Sequence, residues 1–169
     1  MARLHIVLAE PQIPQNTGNI SRTCAVTGAA LHLIKPYGFT ITDRHLKRAG
    51  LDYWDKLEIF EYDSLECFLA QHHEAQIYYF TTKSRTCHSD VQYPTEGDVY
   101  LMFGREDAGL PESLLVQHSD TAVRIPMRPT LRSLNLSNSV AIAAYEVLRQ
   151  WDYPDMTTCG ELTQYEWET

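Results

Sequence analysis

The stretch IPMRPTLRSLNLSNSV, residues 125–140, joins a predicted strand to a predicted helix through a rigid polar loop. An apolar run over residues 121–125 predicts a buried strand, and the two prolines that follow exclude regular structure in the loop. Apolar residues then recur at helical spacing, as Val140, Ala144, Val147, Leu148 and Trp151. Asn135 or Ser137 is a candidate N-cap of this helix. Such a junction can hold a ligand through its unpaired N–H groups, although an ordinary capped helix after a proline-containing loop explains the same residues equally well.

Strand-like and helix-like segments alternate along the rest of the chain. Short apolar runs predict strands over residues 4–8, 31–34, 58–60, 77–80 and 99–103. Helical patterns cover residues 20–27, segments that begin at Asp43, Ser64 and Pro111, and residues 137–150. Gly28 is placed to end the first helix. This alternation predicts an α/β fold, a single-domain sandwich around a mainly parallel sheet.

The composition fits a globular domain of 169 residues, with 44% hydrophobic residues and a formal net charge of −8. No apolar run is long enough to span a membrane, and the N-terminus enters a strand without a signal-peptide pattern. The four cysteines are scattered, without a C-x-x-C pair. We therefore expect a cytoplasmic protein with reduced thiols and no membrane partner. The acidic balance argues against indiscriminate nucleic-acid binding and still permits a local basic face.

Several loops follow predicted strands, over residues 11–19, 80–83, 103–111 and 125–140. In a parallel sheet such loops converge at the carboxyl edge of the strands and form the ligand crevice. Gly104 would let a ligand approach the backbone closely, and Glu106 places a carboxylate at the mouth. Asn16 and Asn19 offer donors and acceptors, and Arg22 is predicted on the first turn of the next helix. Taken singly, each residue has a plain structural explanation, such as turn geometry or a solvated loop. Their combination favours a site.

Common nucleotide and hydrolase motifs are missing from the sequence. It contains no G-x-G-x-x-G, no G-x-x-x-x-G-K-[ST] and no G-x-S-x-G pattern. The histidines show no metal-ligand spacing, and His72 and His73 are predicted to face solvent at a polar helix end. No metal is therefore expected.

Three motifs together resemble the SPOUT class of RNA methyltransferases. They are PxNTGNIxR over residues 14–22, FGxExxGLP over 103–111, and IPM over 125–127 with SLNLSN over 133–138, in the order of that class. LHLIxPxGF over residues 31–39 and RAGLDYW over 48–54 narrow the resemblance to the branch that methylates the ribose 2′-hydroxyl of cytidine or uridine 34 of tRNA. The resemblance covers residues 4–154, and the acidic tail lies outside it.

The resemblance implies a SPOUT (α/β-knot) fold with a trefoil knot in the C-terminal part of the sheet, a rare exception to unknotted chain threading. It implies a methyltransferase domain over residues 1–154. The tail over residues 155–169 is acidic, and from this composition we expect it to be partly disordered. The resemblance also implies a homodimer in which Arg22 of the partner subunit completes each site. An interface on the 137–150 helix would use its wide apolar face, which a buried core explains as well.

S-adenosyl-methionine is the cofactor that the resemblance implies, held in a bent conformation by the knotted loops. The cofactor-binding positions that match the motifs are Phe80, Thr81, Gly104, Glu106, Ile125, Met127, Ser133 and Leu134. The candidate catalytic residues are Arg22, Asn16, Glu106, Ser133, Asn135 and Tyr145.

Methyl transfer to a ribose hydroxyl is an in-line displacement at a sulfonium, for which the enzyme must position both reactants and help to remove a proton. Because a guanidinium keeps its proton in proteins, Arg22 is better suited to bind a phosphate and orient the hydroxyl than to act as a base. Asn16 can orient Arg22. Tyr145 lies two turns after Ser137 and faces either the core or the site.

RNA binding requires positive charge, and two groups of basic residues are candidates. One follows the second strand and contains Lys35, Arg44, Lys47 and Arg48, which a solvated helix face explains equally well; the other lies in the site loops and contains Lys83, Arg85, Arg105, Arg128 and Arg132. The expected function is therefore S-adenosyl-methionine-dependent 2′-O-methylation of wobble nucleotide 34 of tRNA, with leucine isoacceptors as substrates. The alternatives are an rRNA 2′-O-methyltransferase and a non-catalytic RNA-binding dimer module.

Overall fold

The computed structural model describes residues 2–40 and 56–167 of the chain. The described strands are β1 (Arg3–Ala9), β2 (Ala30–Ile34), β3 (Ile59–Tyr62), β4 (Gln76–Phe80), β5 (Asp98–Phe103) and β6 (Ala122–Val123). The described α-helices are α1 (Pro14–Thr27), α2 (Leu65–Gln71), α3 (Glu112–Gln117) and α4 (Leu136–Gln150). The predicted helix from Asp43 and the RAGLDYW stretch lie outside the described residues.

The strands form one six-stranded sheet in the order β3-β2-β1-β5-β4-β6, and every pairing is parallel. Central strands buried on both faces explain why β2 is apolar at nearly every position. Helices α1 and α4 pack on one face through Ile20, Cys24 and the apolar side of α4, and α2 and α3 cover the other through Phe68, Leu114 and Leu115. The α/β sandwich with a parallel sheet is confirmed.

Helix α1 begins at Pro14, so the prediction that residues 14–19 form a loop is wrong. Pro14 at the first helical position is favourable, but Ile13 before it makes no side-chain cap. Arg22 consequently lies on the third turn rather than the first. The predicted stop at Gly28 is confirmed, since Gly28 takes the left-handed conformation at φ 73°.

The apolar side of α4 belongs to the core of its own chain. Val140, Ala144 and Val147 are completely buried, and Leu148 is nearly so. These residues therefore cannot form a dimer surface, and of the two explanations for the pattern the buried core is correct. Ile142 and Tyr145 on the opposite side are exposed, so the expectation that Tyr145 faces the core or the site is not met.

The segment that follows β4 is held between β6 and α4. Thr81 N–H donates to the Val123 carbonyl, and the Gln150 side chain donates to the Val91 carbonyl, each at a distance of 2.9 Å. These contacts fix the polypeptide around the last strand, in the region where the resemblance implies the trefoil knot, which stays a prediction. The domain boundary after residue 154 also stays a prediction; Tyr153 and Met156 flank it and pack against the core.

A hydrogen-bonded chain of histidines lies in the core layer beneath α2. His32 joins His5 at 2.8 Å and the Tyr62 hydroxyl at 2.9 Å, and Tyr62 joins His72 at 3.0 Å. The prediction that His72 faces solvent is therefore wrong, because its ring packs on Phe68 at the end of α2. His73 is exposed, as predicted. Among the described residues no group of three or more His, Cys, Asp or Glu side chains is arranged to hold a metal ion, and no helix there is long and apolar enough to cross a membrane.

Candidate active site

A cavity of about 790 Å³ opens at the carboxyl edge of the sheet, where the loops after β1, β4, β5 and β6 meet. Its walls include all eight predicted cofactor-binding residues and four of the six predicted catalytic ones. The predicted residues in its lining are Asn16, Phe80, Thr81, Gly104, Glu106, Ile125, Met127, Ser133, Leu134 and Asn135. The cavity size is typical of a cofactor site.

The floor of the cavity is aromatic. Phe80 and Phe103 end neighbouring strands, and their rings stack with centroids 4.7 Å apart at an interplanar angle of 20°. Phe103 was not among the predicted site residues, although its place at the carboxyl end of a buried strand was the signal that could have revealed it. Such a floor offers an apolar surface to a flat ring or an aliphatic chain.

Gly104 is required by the loop itself. A Cβ atom at this position would lie 2.1 Å from the Gly109 carbonyl carbon and 2.3 Å from the Leu110 nitrogen. The loop closes tightly there because Gly109 N–H donates to the Arg105 carbonyl at a distance of 2.8 Å. The interpretation that Gly104 makes room for a ligand is therefore corrected: the backbone of its own loop fills the space that a side chain would need.

Glu106 ties the 103–111 loop to the start of α1. Its Oε2 accepts the Gln12 N–H at 2.8 Å, while its Oε1 accepts the Ile13 N–H at 3.1 Å and the Asn16 Nδ2–H at 3.2 Å. The carboxylate thus binds the two backbone N–H groups that immediately precede Pro14 and lies at the positive end of α1. With three donors on its two oxygens, Glu106 acts here as a structural acceptor.

Asn135 caps α4 and reaches across to α1. Its Oδ1 accepts the N–H of Ser137 at 2.9 Å and that of Asn138 at 3.4 Å, which resolves the choice of N-cap in favour of Asn135. Its Nδ2–H donates to Asn16 Oδ1 at 3.0 Å. The three motifs that carried the resemblance are therefore joined side chain to side chain through Glu106, Asn16 and Asn135.

Arg22 and Tyr145 do not line the cavity of their own chain. Arg22 lies on an exposed side of α1, and Tyr145 on α4 is 43% exposed. On α1, Arg22 and Val26 are four residues apart and so share one face of the helix. Neither predicted catalytic residue is brought to the site by the fold of a single chain.

The basic residues of the site loops differ in whether they form ion pairs. Arg105 is held by Asp107, which accepts two hydrogen bonds from the guanidinium and whose pKa is thereby lowered, and by Glu10 at 3.5 Å. Lys83 pairs with Glu112. These two residues contribute less to a basic face than the sequence suggested. Within the described residues, Arg85, Arg128 and Arg132 are exposed and form no ion pair, and of these three Arg132 lines the cavity.

The carboxyl-edge loops of a parallel sheet meet around this cavity, and the side chains of three sequence motifs are hydrogen-bonded to one another there. In parallel α/β proteins this edge of the sheet is where ligands bind. The chain belongs to a family described as the SpoU rRNA Methylase family, which it matches over residues 3–145.

Relatives of known name are similar over most of the chain. A putative tRNA (cytidine(34)-2'-O)-methyltransferase of Listeria monocytogenes serotype 4b (strain F2365) is 51% identical over 150 residues, which is 88% of this chain and 89% of that protein. A solved structure from work on 2-OH methylation of C/U34 on tRNA is 44% identical, with a TM-score of 0.82 over 88% of this chain and 95% of the other. The SpoU methyltransferase AviRb from Streptomyces viridochromogenes, solved with AdoMet, shares the fold at 22% identity, with a TM-score of 0.77 over 88% of this chain and 57% of the other.

Proposed function

We propose that the chain transfers a methyl group from S-adenosyl-methionine to the ribose 2′-hydroxyl of cytidine or uridine 34 of tRNA. The observation that carries the proposal is the joining of the three motifs through Glu106, Asn16 and Asn135 at the rim of one cavity. The named relatives, similar over nearly nine tenths of the chain, support the same reaction and substrate. A tRNA substrate would place the reaction in the cytoplasm.

The residues of the cavity fit the proposed cofactor. Phe80 and Phe103 offer an apolar floor, Ile125 and Leu134 offer apolar walls, and the Thr81 hydroxyl lies at the rim. When bound there, S-adenosyl-methionine would supply an electrophilic methyl group on a sulfonium. The site needs no metal for this chemistry, so calorimetry should give the same affinity for the demethylated cofactor with and without a chelator. No binding at millimolar cofactor would refute the assignment.

The polar residues of the chain position the acceptor. Arg22 of the partner subunit would bind a phosphate next to nucleotide 34 and orient the 2′-hydroxyl, which is the role that a permanently charged planar fork can fill. Ser133 and Asn135 lie at the cavity wall, where their side chains can hydrogen-bond the ribose or the phosphate. Glu106 is engaged by three donors and would hold the site together rather than accept the proton.

The place of Arg22 supports a homodimer. Arg22 lies outside the cavity of its own chain, on the same face of α1 as Val26, which is 54% exposed. Helix α4 beside it exposes Ile142 and Tyr145, one turn apart. These four residues form what we call the α1–α4 face. Pairing two such faces would bury exposed apolar side chains and bring Arg22 near the cavity of the second chain.

The proposed RNA contact lies at the mouth of the cavity. Arg132 lines the cavity, and Arg85 and Arg128 are exposed on the loops after β4 and β6. Part of the acidic surplus of the chain lies elsewhere, with three glutamates and two aspartates after residue 151. Exposed arginines on these loops of an acidic protein favour a selective RNA ligand over general binding. Because the family is described by rRNA methylation, rRNA is a second candidate substrate.

The decisive experiment is methylation of total tRNA and of rRNA from a strain that lacks the corresponding gene, followed by mapping of the modified nucleotide. We expect a 2′-O-methyl group at position 34 of tRNA, with leucine isoacceptors as the first to be analysed, and none in rRNA. A product in rRNA alone would favour the second candidate. No product in either RNA, with cofactor binding intact, would favour a non-catalytic RNA-binding module.

A further inference from the structure

Asn16 is a buried polar side chain whose amide oxygen and amide nitrogen both form hydrogen bonds with other loops. It is 5% exposed, although it lines the cavity. Its Oδ1 accepts from Asn135 at 3.0 Å, and its Nδ2 donates to Glu106 at 3.2 Å. Since the two neighbours present a donor and an acceptor respectively, they fix the orientation of the amide and hold the side chain in a single position.

The contacts of Asn16 connect the N-termini of two helices. On one side, Glu106 holds the N–H groups of Gln12 and Ile13, where α1 begins without a cap of its own. On the other side, Asn135 caps α4 at the end of the loop that walls the proposed cofactor site. The start of α1 is therefore set relative to that loop by a chain of three side chains, in which Asn16 is the central member.

Arg22 lies six residues beyond Asn16 on the same helix, about 9 Å further along its axis. We infer that Asn16 is a positioning residue for methyl transfer: by fixing α1 against the cofactor loop, it sets where Arg22 is presented on the α1–α4 face. This inference rests on the proposed function. Because a misplacement of about 1 Å can cost about a hundredfold in rate, a residue of this kind acts on turnover more than on cofactor affinity.

A double-mutant cycle with Arg22 tests the inference. Single-turnover methylation is measured for the wild type, Asn16→Ala, Arg22→Ala and the double variant, together with the affinity for demethylated cofactor and the melting temperature. We expect Asn16→Ala to lower the rate about 10- to 100-fold, to leave cofactor affinity within about threefold, and to have less than about threefold further effect in the Arg22→Ala background. Gln15→Ala is the matched control, since Gln15 is the exposed neighbour on the same turn, and it should retain the wild-type rate within about twofold.

Each other outcome overturns the inference. Multiplied losses in the double variant would mean that Asn16 acts independently of Arg22, for example by touching the substrate. A rate unchanged by Asn16→Ala would remove any role. If Asn16→Ala does not fold, Asn16→Asp takes its place in the cycle, because it keeps the size of the side chain but turns a carboxylate oxygen toward Glu106. An inactive wild type would overturn the proposed function itself, whereas an active wild type with a multiplicative cycle would overturn this inference alone.

Discussion

Nδ1 of His5 and Nε2 of His32 lie 2.8 Å apart in the core, where neighbouring strands β1 and β2 carry the two rings. One direction of donation satisfies the whole chain: His72 Nε2–H to the Tyr62 oxygen, Tyr62 O–H to His32 Nδ1, and His32 Nε2–H to His5 Nδ1. In that direction the remaining His5 N–H faces Asp98, whose carboxylate lies 3.5 Å away at the start of β5. The opposite direction would leave a bare ring nitrogen against a carboxylate. All three histidines are neutral in this arrangement, and an added proton on His32 would break it.

The histidine chain makes stability depend on pH. Burial, followed by repulsion from His5, His72 and Arg3, lowers the pKa of His32 to about 3, and burial lowers the pKa of His5 as well. The unfolded chain therefore binds more protons below pH 6.5, and stability is lost as pH falls from about 6.5 toward 3. Between pH 7 and pH 5 we expect His32 alone to lower the free energy of unfolding by about 2 kcal/mol, measured by chemical denaturation.

A variant isolates the contribution of His32. His32→Leu, although less stable at pH 7, should show a pH dependence over this range that is weaker by about 2 kcal/mol. His73→Leu is the control, because His73 is exposed at the surface, and its pH dependence should match the wild type. Equal pH dependence of stability in the wild type and His32→Leu would contradict the assignment of this pH dependence to His32.

Substitution by alanine should destabilise the protein at both Gly104 and Gly109, for different reasons. At Gly104 the new Cβ would collide with backbone 2.1 Å away, whereas at Gly109 it meets nothing within 4 Å and suffers only from the positive φ of 70°. We expect Gly109→Ala to cost about 1–2 kcal/mol in the free energy of unfolding. Gly104→Ala should cost more and also weaken cofactor binding, because the loop cannot close. Equal costs at the two positions would show that the loop can relax around a Cβ at position 104, so that the close contact does not make Gly104 necessary.

The α1–α4 face is expected to hold the dimer together. Ile142→Arg combined with Val26→Arg should convert the protein to a monomer at low micromolar concentration, as measured by analytical ultracentrifugation, because two charges would be buried without partners. Val116→Arg is the control, since Val116 is exposed on α3 at the other face of the sheet. A dimer that survives both changes on α1 and α4 would place the interface elsewhere.

Arg22 should act on catalysis rather than on cofactor binding. Arg22→Ala is expected to leave cofactor affinity within a few-fold and to lower methyl transfer by roughly two to four powers of ten. Arg22→Lys should recover little, since a point charge does not reproduce the planar fork on a phosphate.

Mixed dimers then show where Arg22 acts. The Arg22→Ala chain is paired with a Leu134→Arg chain, in which a bulky charge blocks the cavity wall. If Arg22 serves the other subunit, one site of each heterodimer keeps an open cavity and an intact arginine, and activity rises well above that of either parent. No recovery in a confirmed heterodimer would mean that Arg22 serves its own chain.

The sequence by itself determined the elements whose signals are local. Periodicity predicted the strands and α4, Gly28 predicted the end of α1, and the candidate caps included Asn135. The order of the motif loops also predicted which residues would meet, because carboxyl-edge loops of a parallel sheet converge whatever their composition.

Only the tertiary structure decided features whose cause lies far along the chain. The segment that leads into α1 at Pro14 is held by Glu106, 93 residues beyond Ile13, which accepts the N–H groups of Gln12 and Ile13. The apolar side of α4 is buried against β1 and β5, and the ring of His72 packs on Phe68 of α2 and Tyr100 of β5. No local pattern in the sequence records either contact. Gly104 is needed because its own loop turns back on it at Gly109. Spacing along a sequence carries the periodicity of one element, whereas caps, burial and close contacts depend on which elements the fold brings together.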